Sequence, residues 1–496
     1  MDRLRRIYRS DGMGYCSPKC KVWTTFSISI LLFVIGLLTS IFWHDSYGRY
    51  LRHQLTVSDS KTQGFKNWKE TPIPMYLEFY MFNWTNSEDV IKYRAKPKFQ
   101  ECGPYVYYEH HIRQNVTFNN NDTVTYKTQR IWKFQQDMST GSLDDNITTL
   151  NPIAVFVANM VKDEHYLVRR AVNFFFEEKE VYLTITRTVD EFLFKGYNDT
   201  LLNIALKLNI SNLNLPYKTF GWFVNRNGSI DFDGVFNMYS GEHDGSKLGI
   251  ITQWNYEHQT SYYPGECGII NGTSGELWYP PKGDEEVSLF APDLCSNVQL
   301  HLNGTYEAYG LVGDKYIARD DVFDNGTFYP KQKCFANGYP TGLRSVSKCK
   351  YNAPAYMSFP HFYLADRHYV EQVEGMNPTA ANHTTYLSLE PDTGVPLNVF
   401  AAFQLNLLML NIAGINIFSN VTTTMIPSFW FCQRAEISKS LALLTRFLLI
   451  LRKLVTYIGY GLIGLSLGLM FFFGYLVYRE RSKMSIVPED EETFCT

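Results

Sequence analysis

Val22–Trp43 reads VWTTFSISILLFVIGLLTSIFW and contains no aspartate, glutamate, lysine, arginine or histidine. A helix rises about 1.5 Å per residue, so this stretch can cross a hydrocarbon core roughly 30 Å thick. Trp23 and Trp43 lie at its two ends, where amphipathic rings prefer the level of the lipid headgroups. The stretch exceeds the apolar core of a signal peptide, and its bulky end is a poor cleavage site. It is therefore predicted to be a permanent membrane anchor.

Charges around this anchor predict the topology of the chain. Basic residues precede it, which favours a cytoplasmic N-terminus: Arg3, Arg5, Arg6, Arg9, Lys19 and Lys21. The chain crosses back at a second uncharged stretch, Leu454–Tyr478, which three more basic residues follow. The apolar run Leu441–Leu451 contains Arg446 and is predicted to be a helix or strand that docks near the membrane rather than a third span. The sequence thus predicts cytoplasmic tails at 1–21 and 479–496 and an ectodomain over 44–453.

Composition limits the class of the ectodomain. A segment of about 400 residues exceeds the size at which one hydrophobic core usually stops growing, so one composite domain or two fused domains are expected. The net charge of −3 in 496 residues gives no reason to expect nucleic acid as a partner. Aromatic residues make up 16% of the chain, and many of them alternate with polar residues as in β-strands.

The nine cysteines divide by compartment, and one of them, Cys495, lies in the C-terminal tail. Cys16 and Cys20 precede the first span on its cytoplasmic side and are candidates for S-palmitoylation, with two unmodified thiols as the alternative. Six cysteines lie between the spans, an even number that predicts disulfides in an oxidising compartment: Cys102, Cys267, Cys295, Cys334, Cys349 and Cys432. A zinc site is not expected, because CxxC and HxxxH spacings are missing from the sequence.

N-glycosylation sequons also lie between the two spans, where lumenal processing would place them. They begin at Asn83, Asn115, Asn121, Asn146, Asn198, Asn209, Asn227, Asn271, Asn303, Asn325, Asn382 and Asn420. A loop with this density of sequons predicts a heavily glycosylated surface.

Periodicity predicts a large antiparallel β domain with one helical insertion. Helical spacing covers Ser87–Tyr93 and most of the region from about 152 to 210, which is interrupted by a strand at Val181–Thr188. Alternating stretches predict strands at 72–83, 104–109, 123–135, 247–255, 305–311, 359–364, 385–390 and 395–409. Asn227-Gly228 between two such stretches predicts a hairpin of Tyr217–Val224 with Ser229–Phe236.

Motifs for catalysis are missing from the sequence. Gly464–Gly468 matches the GxSxG nucleophile pattern but lies inside the second span, so it predicts close helix packing or an ordinary glycine-rich span. His110 and His111 are predicted to be surface histidines on a strand. An acidic group is predicted to cap turns, with a Ca²⁺ site as the alternative: Asp231, Asp233, Glu242 and Asp244. We therefore expect no enzyme, no cofactor and no resident metal.

Several motifs together resemble the class B scavenger receptors. They run in that family's order across nearly the whole chain: 72–86 (PIPMYLEFYMFNWTN), 103–106 (GPYV), 240–254 (SGEHDGSKLGIITQW), 267–273 (CGIINGT), 347–349 (SKC), 359–362 (FPHF) and 375–378 (GMNP). The resemblance implies an antiparallel β-barrel ectodomain, a helical bundle at its membrane-distal apex, and a hydrophobic tunnel for lipids towards the bilayer. The predicted fold class is an α+β membrane protein with two bracketing helices.

The resemblance also implies roles for individual residues. It pairs Cys267 with Cys334 and Cys295 with Cys349, and the even remainder suggests a further bridge between Cys102 and Cys432. Several members carry a basic cluster at the apex, where this chain has Glu177, Glu178, Lys179 and Glu180. This turn would favour cationic or neutral partners, with a merely solvated acidic turn as the alternative.

Three functions are weighed. The first is a plasma-membrane receptor that binds lipids or lipid-carrying particles and passes lipid through the tunnel to the membrane. The second is a recognition or sorting receptor whose apex binds a protein, microbial or apoptotic-cell ligand, with an endosomal or lysosomal location as the alternative. The third is a two-span ion channel, which is weaker because the spans offer no charged or strongly polar pore residues.

Overall fold

The computed structural model describes residues 18–207, 218–281 and 283–484. The helices are α1 (Pro18–Leu55), α2 (Gln63–Lys69), α3 (Ser87–Tyr93), α4 (Pro152–Met160), α5 (Tyr166–Glu178), α6 (Val189–Leu193), α7 (Thr200–Lys207), α8 (Arg367–Glu371), α9 (Ala380–His383), α10 (Asn416–Ser419) and α11 (Lys439–Met484). The strands are β1 (Met75–Trp84), β2 (Phe99–Phe118), β3 (Thr123–Phe134), β4 (Asn146–Leu150), β5 (Thr184–Thr188), β6 (Val235–Tyr239), β7 (Ile251–Trp254), β8 (Glu286–Ala291), β9 (Ser296–Ala308), β10 (Leu311–Ile317), β11 (Arg344–Ser345), β12 (Ala355–Ser358), β13 (Tyr386–Leu389), β14 (Pro396–Met409) and β15 (Thr424–Glu436).

The chain forms two compact units. One holds the two terminal helices, up to Leu51 and from Leu443, and the other holds Arg52–Ala442. Both terminal helices are long and apolar enough to cross a membrane, and their apolar side chains are mostly exposed. This exposure fits side chains that face lipid rather than a protein core.

The two terminal helices pack closely at a pair of glycines. A Cβ on Gly36 would lie 2.9 Å from the Gly459 carbonyl oxygen, so only hydrogen fits there. The Phe26 and Phe473 rings stack at 4.9 Å. Gly464 and Gly468 face open space, so the predicted packing role of the GxxxG spacing is wrong for this helix pair.

The apolar run Leu441–Leu451 is helical and continues into the second span, because α11 runs without interruption from Lys439 to Met484. The stretch that joins Leu441–Leu451 to the span contains neither proline nor glycine, so nothing ends the helix there. Forty-six residues exceed what a bilayer requires, and Arg446 and Arg452 lie in the surplus turns.

The ectodomain is built on one antiparallel sheet of 13 strands in the order β7-β6-β3-β2-β1-β15-β14-β13-β10-β9-β8, with β12 pairing to β14 and β11 to β12. Its two edges approach each other at Thr273, which bridges to Ile250 on one side and to Leu289 on the other. The sheet is therefore a nearly closed barrel, which confirms the predicted fold class.

The helical insertion packs beside the short sheet of β4 and β5. Asn151 begins α4 by accepting hydrogen bonds from the backbone amides of Ile153 and Ala154. Thr188 and Glu191 form a reciprocal capping box that begins α6. Because α4 (PIAVFVANM) is apolar on every side, it can bury one face in the core and line a cavity with another.

The hairpin predicted around Asn227-Gly228 is wrong. Residues 222–228 form turns instead, and Asn227 pairs its side-chain amide with the backbone of Trp132, at 2.9 Å to the nitrogen and 3.1 Å to the oxygen. The strand predicted at 359–364 is a 3-10 turn at Pro360–Phe362. In both places side-chain contacts from other strands outweigh the local turn and strand propensities.

Candidate functional site

An apolar cavity of about 400 Å³ lies between the helical insertion and the barrel sheet. We call it the helix–sheet cavity. Its walls come from α4 and α7 on one side, from β12, β14 and β15 on the other, and from the aromatic turn 219–224. Residues of these walls include Phe156, Val157, Met160, Leu201, Phe220, Trp222, Phe223, Met357, Leu405, Leu407, Phe429 and Phe431.

Backbone contacts fix the aromatic turn against α6. The amide of Trp222 donates to the Phe192 carbonyl at 2.8 Å, and the amide of Phe223 donates to the Leu193 carbonyl at 2.8 Å. The Trp222 ring lies 5.6 Å from the Phe429 ring of β15. The apolar wall is therefore rigidly placed rather than formed by a loose loop.

One end of the helix–sheet cavity is charged. Arg226, Asp293 and Lys350 belong to its lining. The Arg226 Nη1 lies 3.0 Å from Asp293 Oδ1, while the Lys350 Nζ lies 3.9 Å from the same oxygen. Lys350 keeps 38% of its side chain accessible, and desolvation near the cavity lowers its pKa.

A chain of buried ion pairs runs from this charged end into the barrel. Arg226 Nη2 lies 3.1 Å from Asp233 Oδ1, and Arg130 Nε lies 3.0 Å from Asp233 Oδ2. Arg130 also lies 3.9 Å from Glu109. We call this chain the buried charge network, and it continues through His111, Glu276 and Arg113.

His111 lies between two carboxylates. Its Nε2 is 2.5 Å from Glu109 Oε1 and its Nδ1 is 2.7 Å from Glu276 Oε1. Burial lowers the pKa of His111, but the charges and hydrogen bonds of Glu109 and Glu276 outweigh burial, so the pKa is raised. For Glu276, burial acts to raise the pKa, and Arg113 and His111 more than reverse it, so the pKa is well below its usual range.

The raised pKa of His111 predicts a pH-dependent stability. The ion pairs contribute fully below about pH 6.5, the ordinary histidine pKa, and the contribution is lost as pH rises through the folded-state pKa. Wild-type thermal stability is therefore expected to fall between pH 6 and pH 9 more steeply than that of His111→Gln. Melting temperatures of both proteins across this range measure the difference.

His383→Gln is a matched control for that experiment. Burial and the neighbouring His361 ring lower the pKa of His383 to about 4, so it is neutral in the folded chain throughout the range. In the unfolded chain an ordinary histidine is neutral above about pH 7.5, so between pH 7.5 and pH 9 the replacement is expected to shift all melting temperatures alike and leave their pH slope unchanged. Equal slopes for wild type and His111→Gln would contradict the assignment of a charged His111.

Four of the ectodomain cysteines are joined in pairs in the structure. Cys267 and Cys334 bond with their Cα atoms 6.0 Å apart, and Cys295 and Cys349 bond with theirs 6.5 Å apart. These are the pairings that the family resemblance implies.

The suggested bridge between Cys102 and Cys432 is contradicted, since both are free thiols. Strand β1 lies between them, with Cys102 opposite Met81 and Cys432 opposite Glu78. Strands are about 4.8 Å apart, so two strand spacings alone exceed the roughly 7 Å that a disulfide can span between Cα atoms. Burial raises the pKa of Cys432, which keeps its thiol unreactive.

The acidic turn lies at the end of α5, and its four residues are exposed. Lys179 pairs with Glu178 at 2.7 Å, and Glu177 accepts hydrogen bonds from Asn173 at 3.0 Å and from Asn416 at 2.6 Å. Part of its charge is therefore satisfied within the chain.

Most predicted glycosylation sites are accessible. Nine of the asparagines are exposed: Asn115, Asn121, Asn146, Asn198, Asn227, Asn271, Asn303, Asn382 and Asn420. Asn83 and Asn325 are half-buried, and Asn83 accepts a hydrogen bond from the Thr148 amide at 2.9 Å. Asn209 and Cys16 lie outside the described residues, and Cys20 lies in α1.

Two further predictions from the sequence need correction. His111 is buried, not on the surface, because its side of β2 faces the barrel interior. The acidic group does not converge on one site: Asp231 pairs with Lys127, Asp233 belongs to the buried charge network, and Asp244 caps a turn at Ser246. Only Asp244 fits the predicted turn-capping role directly.

The helix–sheet cavity and the buried charge network were not predicted. Their residues come from segments scattered between 109 and 431, so no local motif joins them. The available signal was the charged residues within the alternating pattern of β2 and β3, where Glu109, His111 and Arg113 share one face.

Together, the terminal helices, the barrel and its cavity define a two-span membrane protein with a large ligand-sized chamber in its ectodomain. Residues 26–477 match the model of the CD36 family, and the chain belongs to that family. It is thus a scavenger-type receptor, which confirms the resemblance to the class B scavenger receptors.

Curated relatives agree along most of the chain. The Drosophila melanogaster protein peste is 35% identical over 406 residues, which cover 81% of this chain and 72% of that protein. Scavenger receptor class B member 1 of Bos taurus is 31% identical over 480 residues, covering 95% and 92%. Lysosome membrane protein 2 of Homo sapiens is 29% identical over 486 residues, covering 95% and 98%.

Proposed function

We propose that this receptor binds hydrophobic lipid in the helix–sheet cavity and delivers it to the membrane in which it is anchored. The observation that carries the proposal is the cavity itself, about 400 Å³ in volume and walled by aromatic and aliphatic side chains. Pockets for small ligands run from about 300 to 1,000 Å³ and are mostly apolar. The mechanism is binding and guided partition, with no bond made or broken and no cofactor.

The proposed site of action is the plasma membrane, with an endosomal or lysosomal membrane as the alternative. The carrier of the lipid would be a lipid-bearing particle that meets the ectodomain. The cavity would then be one chamber of the lipid route that the family resemblance implies.

Filling the cavity tests the proposal. Val157 lines it from α4, and Val157→Trp is expected to reduce lipid bound to the purified full-length receptor by about tenfold, the effect of roughly 1.4 kcal/mol of lost affinity, because the indole ring occupies volume that the lipid needs. Mass spectrometry of lipid extracted after purification in mild detergent measures the bound amount. We expect hydrophobic molecules to remain bound to the wild-type receptor through purification and to be detected in this extract.

The matched control is Val312→Trp, which makes the same change on β10 at a side chain 55% exposed and outside the cavity. It is expected to retain as much bound lipid as the wild-type receptor. Equal lipid content in both variants, or wild type without any lipid across a panel of fatty acids, sterols and phospholipids, would refute the proposed function.

A second function, recognition of a protein or cell surface at the helical insertion, is favoured by one observation. Helix α5 exposes Leu167 and Phe174, each 69% accessible, next to the acidic turn. Such exposed apolar residues are characteristic of interaction sites. The Val157→Trp variant separates the two functions, because it blocks the cavity and leaves this surface unchanged.

A further inference from the structure

A second concave surface of the ectodomain lies across strands β3, β6 and β7 and has a volume of about 560 Å³. We call it the polar groove. The described residues that line it carry amide, hydroxyl and imidazole side chains, and none of them is aspartate, glutamate, lysine or arginine. The groove therefore suits an uncharged polar ligand, in contrast to the apolar helix–sheet cavity.

Strand alternation places the polar groove on the face of the sheet that turns away from the core. Thr125 lies opposite Asn237 in the register of β3 and β6, and both line the groove. One position along, Val124 lies opposite Met238, and both are fully buried in the core. Successive side chains of a strand point to opposite faces, so the groove faces outwards.

Side-chain hydrogen bonds fix the floor of the polar groove and leave some of its polar groups unused. Asn119 Nδ2 donates to the Thr123 hydroxyl at 3.0 Å and to the Thr125 hydroxyl at 2.9 Å. Asn237 Nδ2 donates to the same two hydroxyls at 3.1 Å and 2.9 Å. Among the described residues, the Thr125 hydroxyl donates to no acceptor and the Tyr239 hydroxyl makes no hydrogen bond. Both hydroxyls can therefore bind a ligand that is rich in hydroxyl groups.

One residue of the groove is itself the start of a glycosylation sequon. Asn121 begins the sequence Asn-Asp-Thr and is exposed in the turn between β2 and β3. Its Oδ1 accepts a hydrogen bond from the Thr123 hydroxyl at 2.6 Å, whereas its Nδ2, the atom that carries a glycan, donates to no partner in the described part of the chain. At Asn227, Asn325 and Asn420 the corresponding nitrogen donates to a backbone carbonyl oxygen. A glycan on Asn121 thus begins at a free nitrogen inside the groove.

We propose that the polar groove binds the core sugars of the N-glycan on Asn121, so that this glycan lies along the receptor surface. Sugar hydroxyls and acetamido groups donate and accept hydrogen bonds, which matches Thr125, Tyr239 and Gln253 of the lining. The covalent bond to Asn121 keeps the sugars at a high effective concentration, so weak hydrogen bonds are sufficient to hold them. The polar groove shares no lining residue with the helix–sheet cavity, so this site is independent of the proposed lipid function.

The test follows the release of single glycans from the folded full-length receptor. The receptor is made in cells that cannot process oligomannose glycans, and endoglycosidase H then cuts each glycan within its core. Site-resolved mass spectrometry compares Asn121 with Asn303, an exposed sequon on β9 outside the groove. Release at Asn121 is expected to be about tenfold slower, the protection that about 1.4 kcal/mol of glycan binding gives. After denaturation the two rates are expected to be equal.

Gln253→Trp fills the polar groove from β7 and leaves the sequon unchanged. It is expected to bring the release rate at Asn121 to within about threefold of the rate at Asn303, because the sugars lose their binding surface. Gln100→Trp is the matched control, because it makes the same change at an exposed position of β2 outside the groove. It is expected to keep the tenfold difference of the wild-type receptor.

Equal release rates at Asn121 and Asn303 in the folded wild-type receptor would overturn the proposal, as would an Asn121 that carries no glycan. Slow release at Asn121 that persists in Gln253→Trp would also overturn it, because the turn alone would then shield the glycan. The comparison of the two sequons in the wild-type receptor needs no variant, so the proposal stays testable if Gln253→Trp does not fold.

Discussion

Arg226→Met is expected to lower the free energy of unfolding by about 3–5 kcal/mol, the usual cost of removing one partner from a buried ion pair. Arg226 is buried and lies 3.1 Å from Asp233 and 3.0 Å from Asp293. Among the described residues, its loss leaves Asp293 with the Lys350 amino group 3.9 Å away as its ion-pair partner. Chemical denaturation of the full-length chain in detergent, followed by tryptophan fluorescence, measures the change.

Two controls make the Arg226 result specific to an uncompensated buried charge. Lys92→Met breaks an exposed pair with Glu88, whose side chains are 60% and 83% accessible, and should cost less than about 1 kcal/mol. The double variant Arg226→Met with Asp293→Asn should be more stable than Arg226→Met alone, because the second change removes the charge left unpaired. If Arg226→Met lowered the free energy of unfolding as little as Lys92→Met does, the stabilising role of the buried charge network would be contradicted.

The membrane topology could be predicted from the sequence because its signal is local. An uncharged stretch long enough to cross a bilayer is visible residue by residue, and charge bias orients it. The alternating pattern likewise predicted antiparallel strands, because one face of each strand is buried. The exact start of Ser87–Tyr93 was predictable for the same reason, since a polar residue and two acids precede its apolar positions.

The candidate site could not be predicted because its contacts are non-local. Glu109, Arg226 and Lys350 are more than a hundred residues apart in sequence, and each alone resembles a surface residue. His111 was expected to lie on the surface, yet it and Glu109 on the same strand face are buried. Asn227-Gly228 is a strong local signal for a hairpin that does not form. Its Asn227 side chain instead accepts a hydrogen bond from the backbone amide of Trp132, which is distant in sequence.

Removing the Cys295–Cys349 disulfide is expected to lower both stability and the amount of lipid bound. The bond closes a span of 54 residues, and the loss of such a bond typically costs about 2–5 kcal/mol. Cys349 precedes Lys350 and Cys295 lies two residues after Asp293, and both Lys350 and Asp293 line the helix–sheet cavity. The double variant Cys295→Ala with Cys349→Ala should therefore loosen this end of the cavity and retain less lipid than wild type after purification.

The second disulfide provides the control that separates stability from positioning. Cys267–Cys334 spans 67 residues, so the loop-entropy cost of losing it is nearly the same. Neither of its cysteines adjoins a residue that lines the cavity. Cys267→Ala with Cys334→Ala should therefore lose a comparable amount of stability and keep the wild-type amount of bound lipid. If both double variants lost lipid equally, general loosening of the ectodomain, rather than a change in the cavity wall, would explain the effect.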